Sequence, residues 1–284
     1  MARSVSWLCA AALVISSTAV ATDFEPAVAD SVIAAQNAAL KAATEGKGFG
    51  PQSPRDIDRH AGRNGHAFSP SPAVDKMSLC DIHFHESAEH KGGEFTTFAG
   101  NGDGEGHGTG YEYDGRLTDA ESAPLDERIG ESENGDLAPG DTIEIHYVYS
   151  TAQGTLGNGL GTCLSEADEN PQLRVEAVVA VLVNDRDAAD FTELTRIEEI
   201  DGRNQAPNLP DDLGTPVVYD GSTTGPGYDE KGSPFEVTWS VRPRVIKLDV
   251  ESVGDWLADN PFEENHAHGV RNLVTDLDLL SAID

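Results

Sequence analysis

Asp81-Ile82-His83-Phe84-His85 and, further along the chain, Ile143-Glu144-Ile145-His146-Tyr147-Val148 decide how this sequence is read. Side chains alternate faces along a strand, so Asp81, His83 and His85 share one side while Ile82 and Phe84 take the other. By the same rule Glu144, His146 and Val148 form one set, and Ile143, Ile145 and Tyr147 the opposite one. If the two strands are neighbours, three imidazoles converge with two carboxylates one step behind. Three neutral imidazoles with one open position are a catalytic zinc ligand set. A metal-bound histidine usually donates its second N–H to a carboxylate or carbonyl, a part that suits Asp81 and Glu144. One His-x-His alone reads as ordinary strand histidines; the two clusters together favour a metal.

Around these strands the chain reads as one exported domain. Residues 1–21 resemble an export signal, with Arg3 as the positive end, an apolar run from Leu8 to Ile15 and Ala19-Val20-Ala21 as the cleavage site. That run is too short to span a bilayer, and no later segment reaches the needed length. The expected location is periplasmic or secreted. Removal of the signal takes Cys9 with it and leaves Cys80 and Cys163, an even pair expected to form a disulfide in an oxidising compartment. Roughly 260 residues then remain, enough for a single domain with a real core. With 50 acidic against 19 basic residues, the formal charge is −31. Such a surface disfavours nucleic acid and anionic membranes as partners. A salty exterior and simple solubility both account for it, and composition does not fix the oligomeric state.

Pattern along the chain predicts a helix over 26–44 in an N-terminal segment 22–50, followed by a main domain over 51–284. Strands are predicted at 81–85, 142–150, 173–183, 235–241 and 243–250. The run Val175–Val183 is nearly continuous valine, alanine and leucine, as in a strand buried on both faces. Later helices are predicted at 251–259 and 269–282, and long glycine- and acid-rich loops fill 100–140 and 200–234. The class is mostly β. Within 101–112, Asn101, Asp103, Glu105, Gly106 and Glu112 fall at calcium-loop spacing, but without flanking helices a solvated acidic loop is preferred to Ca2+.

Several motifs resemble carbonic anhydrases of the alpha type, in the same order along the chain. They are Gln52-Ser53-Pro54-Arg55-Asp56-Ile57, Asn64-Gly65-His66-Ala67-Phe68, the histidine strand, Ala88-Glu89-His90, Glu144-Ile145-His146, Tyr219-Asp220-Gly221-Ser222-Thr223-Thr224 and Val237-Thr238-Trp239. The short stretch from His85 to Glu89 and the tail Asn265-His266-Ala267-His268-Gly269-Val270-Arg271 look more like the delta class. The chain is therefore similar to delta-class, alpha-like carbonic anhydrases. That resemblance implies a large, mainly antiparallel central sheet with few short helices and long loops.

Carried over by position, the resemblance implies His83, His85 and His146 as zinc ligands, with Asp81 and Glu144 orienting the first and third. Co2+ or Cd2+ can substitute at such a site. The implied activity is carbonate dehydratase: hydroxide on the metal attacks carbon dioxide to give bicarbonate. Zinc lowers the pKa of its bound water to about 7, an effect for which carbonic anhydrase is itself the reference case. Thr223 would orient the nucleophile by passing its own hydroxyl to Glu89. Val148, Val237 and Trp239 would line the carbon dioxide pocket, and His66 would pass the proton to buffer.

This sequence also departs from the alpha pattern. The leucine between the serine and the two threonines is absent, so the gatekeeper is Thr223 or Thr224 and one apolar pocket wall is missing or replaced. Glu89 lies close behind His85, which leaves Glu94 as a rival for its role. His90 is a rival third ligand, ranked below His146, while His107, His266 and His268 read as loop residues. Alternatives to the implied activity are a non-catalytic binding module of the same fold and a different metal-dependent hydrolase or esterase.

Overall fold

The computed structural model describes residues 27–67, 69–166, 170–223, 231–233 and 235–284. The export signal over 1–21, Phe68 and the alternative gatekeeper Thr224 lie outside these residues.

Five strands build the main sheet: β1 (Ser78–Glu86), β2 (Thr142–Ser150), β3 (Leu173–Val183), β4 (Val217–Ser222) and β5 (Glu236–Asp249). Their spatial order is β1-β2-β3-β5-β4. Three of the pairings are antiparallel and the β3–β5 pairing is parallel, so the sheet is mixed. The two strands expected at 235–241 and 243–250 are one, β5, with a register shift between Val241 and Val245 that accommodates Pro243. β3 is buried along nearly its whole length, as its apolar run predicts. Val178, Ala180 and Leu182 enter one core, while Val175, Ala177 and Val179 enter the other.

The first core gathers Ile82 and Phe84 of β1 and Ile143, Ile145, Tyr147 and Tyr149 of β2, closed over by Phe191, Trp256 and Phe262. The opposite face of the same two strands holds the histidines. A register shift in β1 sets this phase: Leu79 faces Tyr149 and Asp81 faces Val148, so Cys80 is an extra, unpaired residue. Leu79 therefore points into the first core although Asp81, two residues on, points the other way. Beyond the bulge His83 pairs with His146 and His85 with Glu144.

Two helices follow expectation, Asp30–Thr44 and Val250–Ala258. The second is capped by Asp249, whose side chain accepts from the Glu251 N–H. The helix predicted at 269–282 does not form; this stretch is extended, with one short turn at Leu277–Leu279. Its backbone groups bond to distant partners instead, Val270 N–H to Gly106 O and Val274 N–H to Pro54 O. Its leucines pack with Leu40 of the N-terminal helix. The long loops carry three short hairpins: Thr97–Asn101 with Thr109–Glu112, Ile129–Ser132 with Gly135–Leu137, and Glu198–Ile200 with Arg203–Gln205. Cys80 and Cys163 are joined as a disulfide. No helix among the described residues is long and apolar enough to cross a membrane.

Candidate metal centre

Pleat and register bring His83, His85 and His146 together, and one ring nitrogen of each lies within 4.8 Å of the others. The outer nitrogen of every ring is committed. His83 Nδ1 donates to Asp81 Oδ2 at 2.7 Å, His85 Nδ1 to Gly269 O at 2.7 Å, and His146 Nε2 to Glu144 Oε1 at 2.8 Å. A proton on each outer nitrogen leaves the inner ones, Nε2 of His83 and His85 and Nδ1 of His146, as bare lone pairs. His83 Nε2 and His146 Nδ1 face each other at 3.3 Å. Two unprotonated nitrogens at that distance repel unless a proton or a metal ion lies between them. At zinc–nitrogen bonds of about 2.0–2.1 Å and a tetrahedral angle, neighbouring ligand nitrogens stand about 3.3–3.4 Å apart. The donor set thus fits a tetrahedral divalent metal with one corner left over.

Two of the rings are held neutral by their surroundings; at His83 burial works against the charge, but Asp81 outweighs it and raises that ring. Burial and the neighbouring imidazoles hold the His85 ring well below its usual range, and burial brings His146 down to about 4 against the pull of Glu144. Burial works against the charge on Glu144 too, but the imidazoles of His90 and His146 keep its carboxyl well below the usual range. Burial, with Glu144 nearby, pushes Glu89 up to about 7.

The centre opens into a cavity of about 310 Å3 lined by both apolar and polar side chains. Val148, Leu160, Val175 and Trp239 are the apolar ones, and the Trp239 ring meets the His146 ring edge-on at 5.0 Å. Asp81, Asn158, Glu264 and His268 are among the polar ones, and His268 Nε2 lies 2.6 Å from Glu264 Oε2. Asp81 Oδ1 is buried there without a hydrogen-bond partner among the described residues. Glu89 and Thr223 also line the cavity.

Other expected site residues are placed less simply. Thr223 Oγ1 lies 3.0 Å from Ser233 Oγ, while Glu89 Oε1 accepts from the Arg271 N–H at 2.9 Å. Its rival Glu94 is exposed and accepts from the Val245 N–H, away from the cavity. Val237 is buried in the second core and is not part of the cavity wall. His66 is exposed, paired with Glu236 at 2.5 Å, and also lies off that wall. In the acidic loop, Asn101 donates to Val28 O and Asp30, and Asp103 Oδ1 accepts from the N–H groups of Glu105 and His107.

Two histidines gain an importance that sequence reasoning did not assign them. His90 is fully buried; its N–H and Nδ1 both donate to Glu144, at 3.0 and 2.6 Å, and its Nε2 accepts from the Tyr219 hydroxyl at 2.5 Å. Ser53 Oγ extends this chain, 2.6 Å from Tyr219. His268 lies on a strap along the free edge of β1, where its N–H bonds to Phe84 O and its carbonyl accepts from the Glu86 N–H. One residue later the same strap supplies the Gly269 carbonyl to His85, and then the Arg271 N–H to Glu89. The Ala88-Glu89-His90 motif signals the first of these; the second is signalled only by the resemblance of the tail from Asn265 to Arg271.

A family model described as delta carbonic anhydrase matches residues 74–252. No curated protein matches the chain by sequence. Among solved structures, the chain is similar to the alpha-carbonic anhydrase from Thermovibrio ammonificans in complex with the inhibitor sulfanilamide, at 18% identity over 76% of this chain and 82% of that one, with a TM-score of 0.26. It is also similar to the Photobacterium profundum alpha-carbonic anhydrase, at 16% identity over 80% and 88% of the two chains, TM-score 0.28. A hyperthermostable carbonic anhydrase from an active hydrothermal vent chimney gives 16% identity over 82% and 86%, TM-score 0.28. These scores are too low to carry site positions from one backbone to another.

Proposed function

This chain belongs to the delta carbonic anhydrase family, and from that premise we propose that it is an exported zinc enzyme interconverting carbon dioxide and bicarbonate. His83, His85 and His146 would hold the metal through the three bare nitrogens. When bound, zinc supplies the Lewis acidity that makes a nucleophile available from water near neutral pH. Asp81, Gly269 and Glu144 accept the outer N–H groups and so fix the tautomers, and each ring would offer the ion a neutral lone pair that leaves its charge undiminished. The apolar wall gives an uncharged, non-polar substrate a place beside the open corner and excludes competing water. Glu89, held by Arg271, and Thr223 both line the cavity and are the residues assigned to orient the nucleophile. Hydration adds one water to carbon dioxide and releases one proton with bicarbonate; His66 is given no step, because its ring pairs with Glu236 off the cavity wall. The disulfide is compatible with an oxidising, exterior location.

A single observation carries this reading: the facing bare nitrogens of His83 and His146 at 3.3 Å, each backed by a carboxylate. The test combines metal analysis with stopped-flow carbon dioxide hydration. One zinc per chain is expected, with hydration abolished in His146→Ala. A chain that binds stoichiometric metal and cleaves esters without hydrating carbon dioxide would be a different hydrolase. One that folds normally and takes up no metal would be a binding module.

A further inference from the structure

In the motif from Tyr219 to Thr223, the serine runs straight into the threonine, so no leucine from that segment closes the pocket. Yet the cavity has four apolar lining residues, and one of them comes from a turn outside the main sheet. Leu160 sits at the start of the short turn Leu160–Cys163, which follows β2, and it shares the cavity wall with Val148, Val175 and Trp239. It is only partly buried, packed on the core that contains those three residues and both cysteines. From these placements we infer that Leu160 is a specificity-determining wall of the carbon dioxide pocket and that the Cys80–Cys163 bond holds it there. This inference rests on the function proposed above.

The turn is pinned at a single point of β1. Cys163 is bonded covalently to Cys80, and the Cys80 carbonyl accepts from the Gly157 N–H at 3.2 Å and the Thr162 hydroxyl at 3.3 Å. From the β2 side, Ser150 Oγ donates to Cys163 O at 2.6 Å. Gly159, just before Leu160, has a φ of +73°, a conformation that costs glycine little and turns the chain sharply there. Asn158 Nδ2 reaches Glu264 Oε1 at 3.4 Å across the cavity mouth. Cys80 in turn immediately precedes Asp81, which orients His83. The cross-link thus fixes the distance between the metal ligands and a wall that nothing in the 219–223 segment supplies.

A small wall residue and a large one should affect small and large substrates in opposite ways. Removing apolar wall atoms weakens the hold on carbon dioxide but makes room for a bulky acyl group. In Leu160→Ala, KM for carbon dioxide hydration should rise about 10-fold. Turnover of 4-nitrophenyl butyrate relative to 4-nitrophenyl acetate should rise as well, with zinc content unchanged. Leu160→Met, which keeps the volume, should restore both values. The double variant Cys80→Ala/Cys163→Ala should move both readouts in the direction of Leu160→Ala while retaining the metal. Equal losses on all substrates, or a carbon dioxide KM that does not move in Leu160→Ala, would overturn the inference and leave the proposed function standing. A zinc-loaded wild-type protein that hydrates no carbon dioxide would overturn both.

Discussion

At Glu144 three donors converge on one carboxylate: the His146 and His90 rings and the His90 backbone N–H. The side chain is fully buried, so among the described residues its charge is supported by those groups. Glu144→Gln keeps the shape but turns an acceptor-only group into one that is half donor. Both rings donate to Oε1 and the His90 N–H to Oε2, so the new NH2 must face either that backbone N–H or both imidazoles. Metal affinity should fall about 10- to 100-fold, read as faster zinc release to a chelator, while the far core is untouched. Unchanged release would show that His146 needs no carboxylate behind it. His90 shows what sequence conveys about such a residue. Its spacing after His85 marks it as a rival ligand, but only the fold reveals that Tyr219 and Glu144 occupy both of its ring nitrogens.

Period-two alternation makes β1 and β2 legible from sequence alone. It places Glu144, His146 and Val148 on one face and Ile143, Ile145 and Tyr147 on the other, as observed. Strand alternation fails for the strap at 264–271, because its conformation is set by partners far away in sequence. Residues 269–282 read as a helix on local pattern; in the fold, Gly106, Pro54 and Glu89 claim the backbone N–H groups a helix would need. The same limit hides the carbonyl that orients His85. Gly269 is squeezed there: a Cβ would stand 2.9 Å from Gly106 O and 3.2 Å from the His107 ring. Gly269→Ala should push the strap off the edge of β1. Chemical denaturation should register a loss of about 1–3 kcal/mol, and zinc release should accelerate with it. A destabilised variant with unaltered zinc release would separate the strap from the centre.

Over the whole molecule, 50 acidic and 19 basic residues leave a charge of −31, with no counterweight among the described cavity residues beyond their histidines. Self-repulsion of that size opposes the compact state and is screened by salt. Thermal unfolding should therefore shift upward by about 3–6 °C between roughly 0.02 and 1 M sodium chloride. A midpoint that falls with salt would mean that ion pairs such as Lys41–Asp276 and Arg63–Asp278 outweigh the repulsion. The bulge at Cys80 bears on how such a molecule can change over time. Because that residue has no partner across the ladder, a covalent strut planted on it leaves the facing of His83 and His146 undisturbed. Lengthening or re-rooting the strut would thus reshape the mouth while leaving the old centre in place.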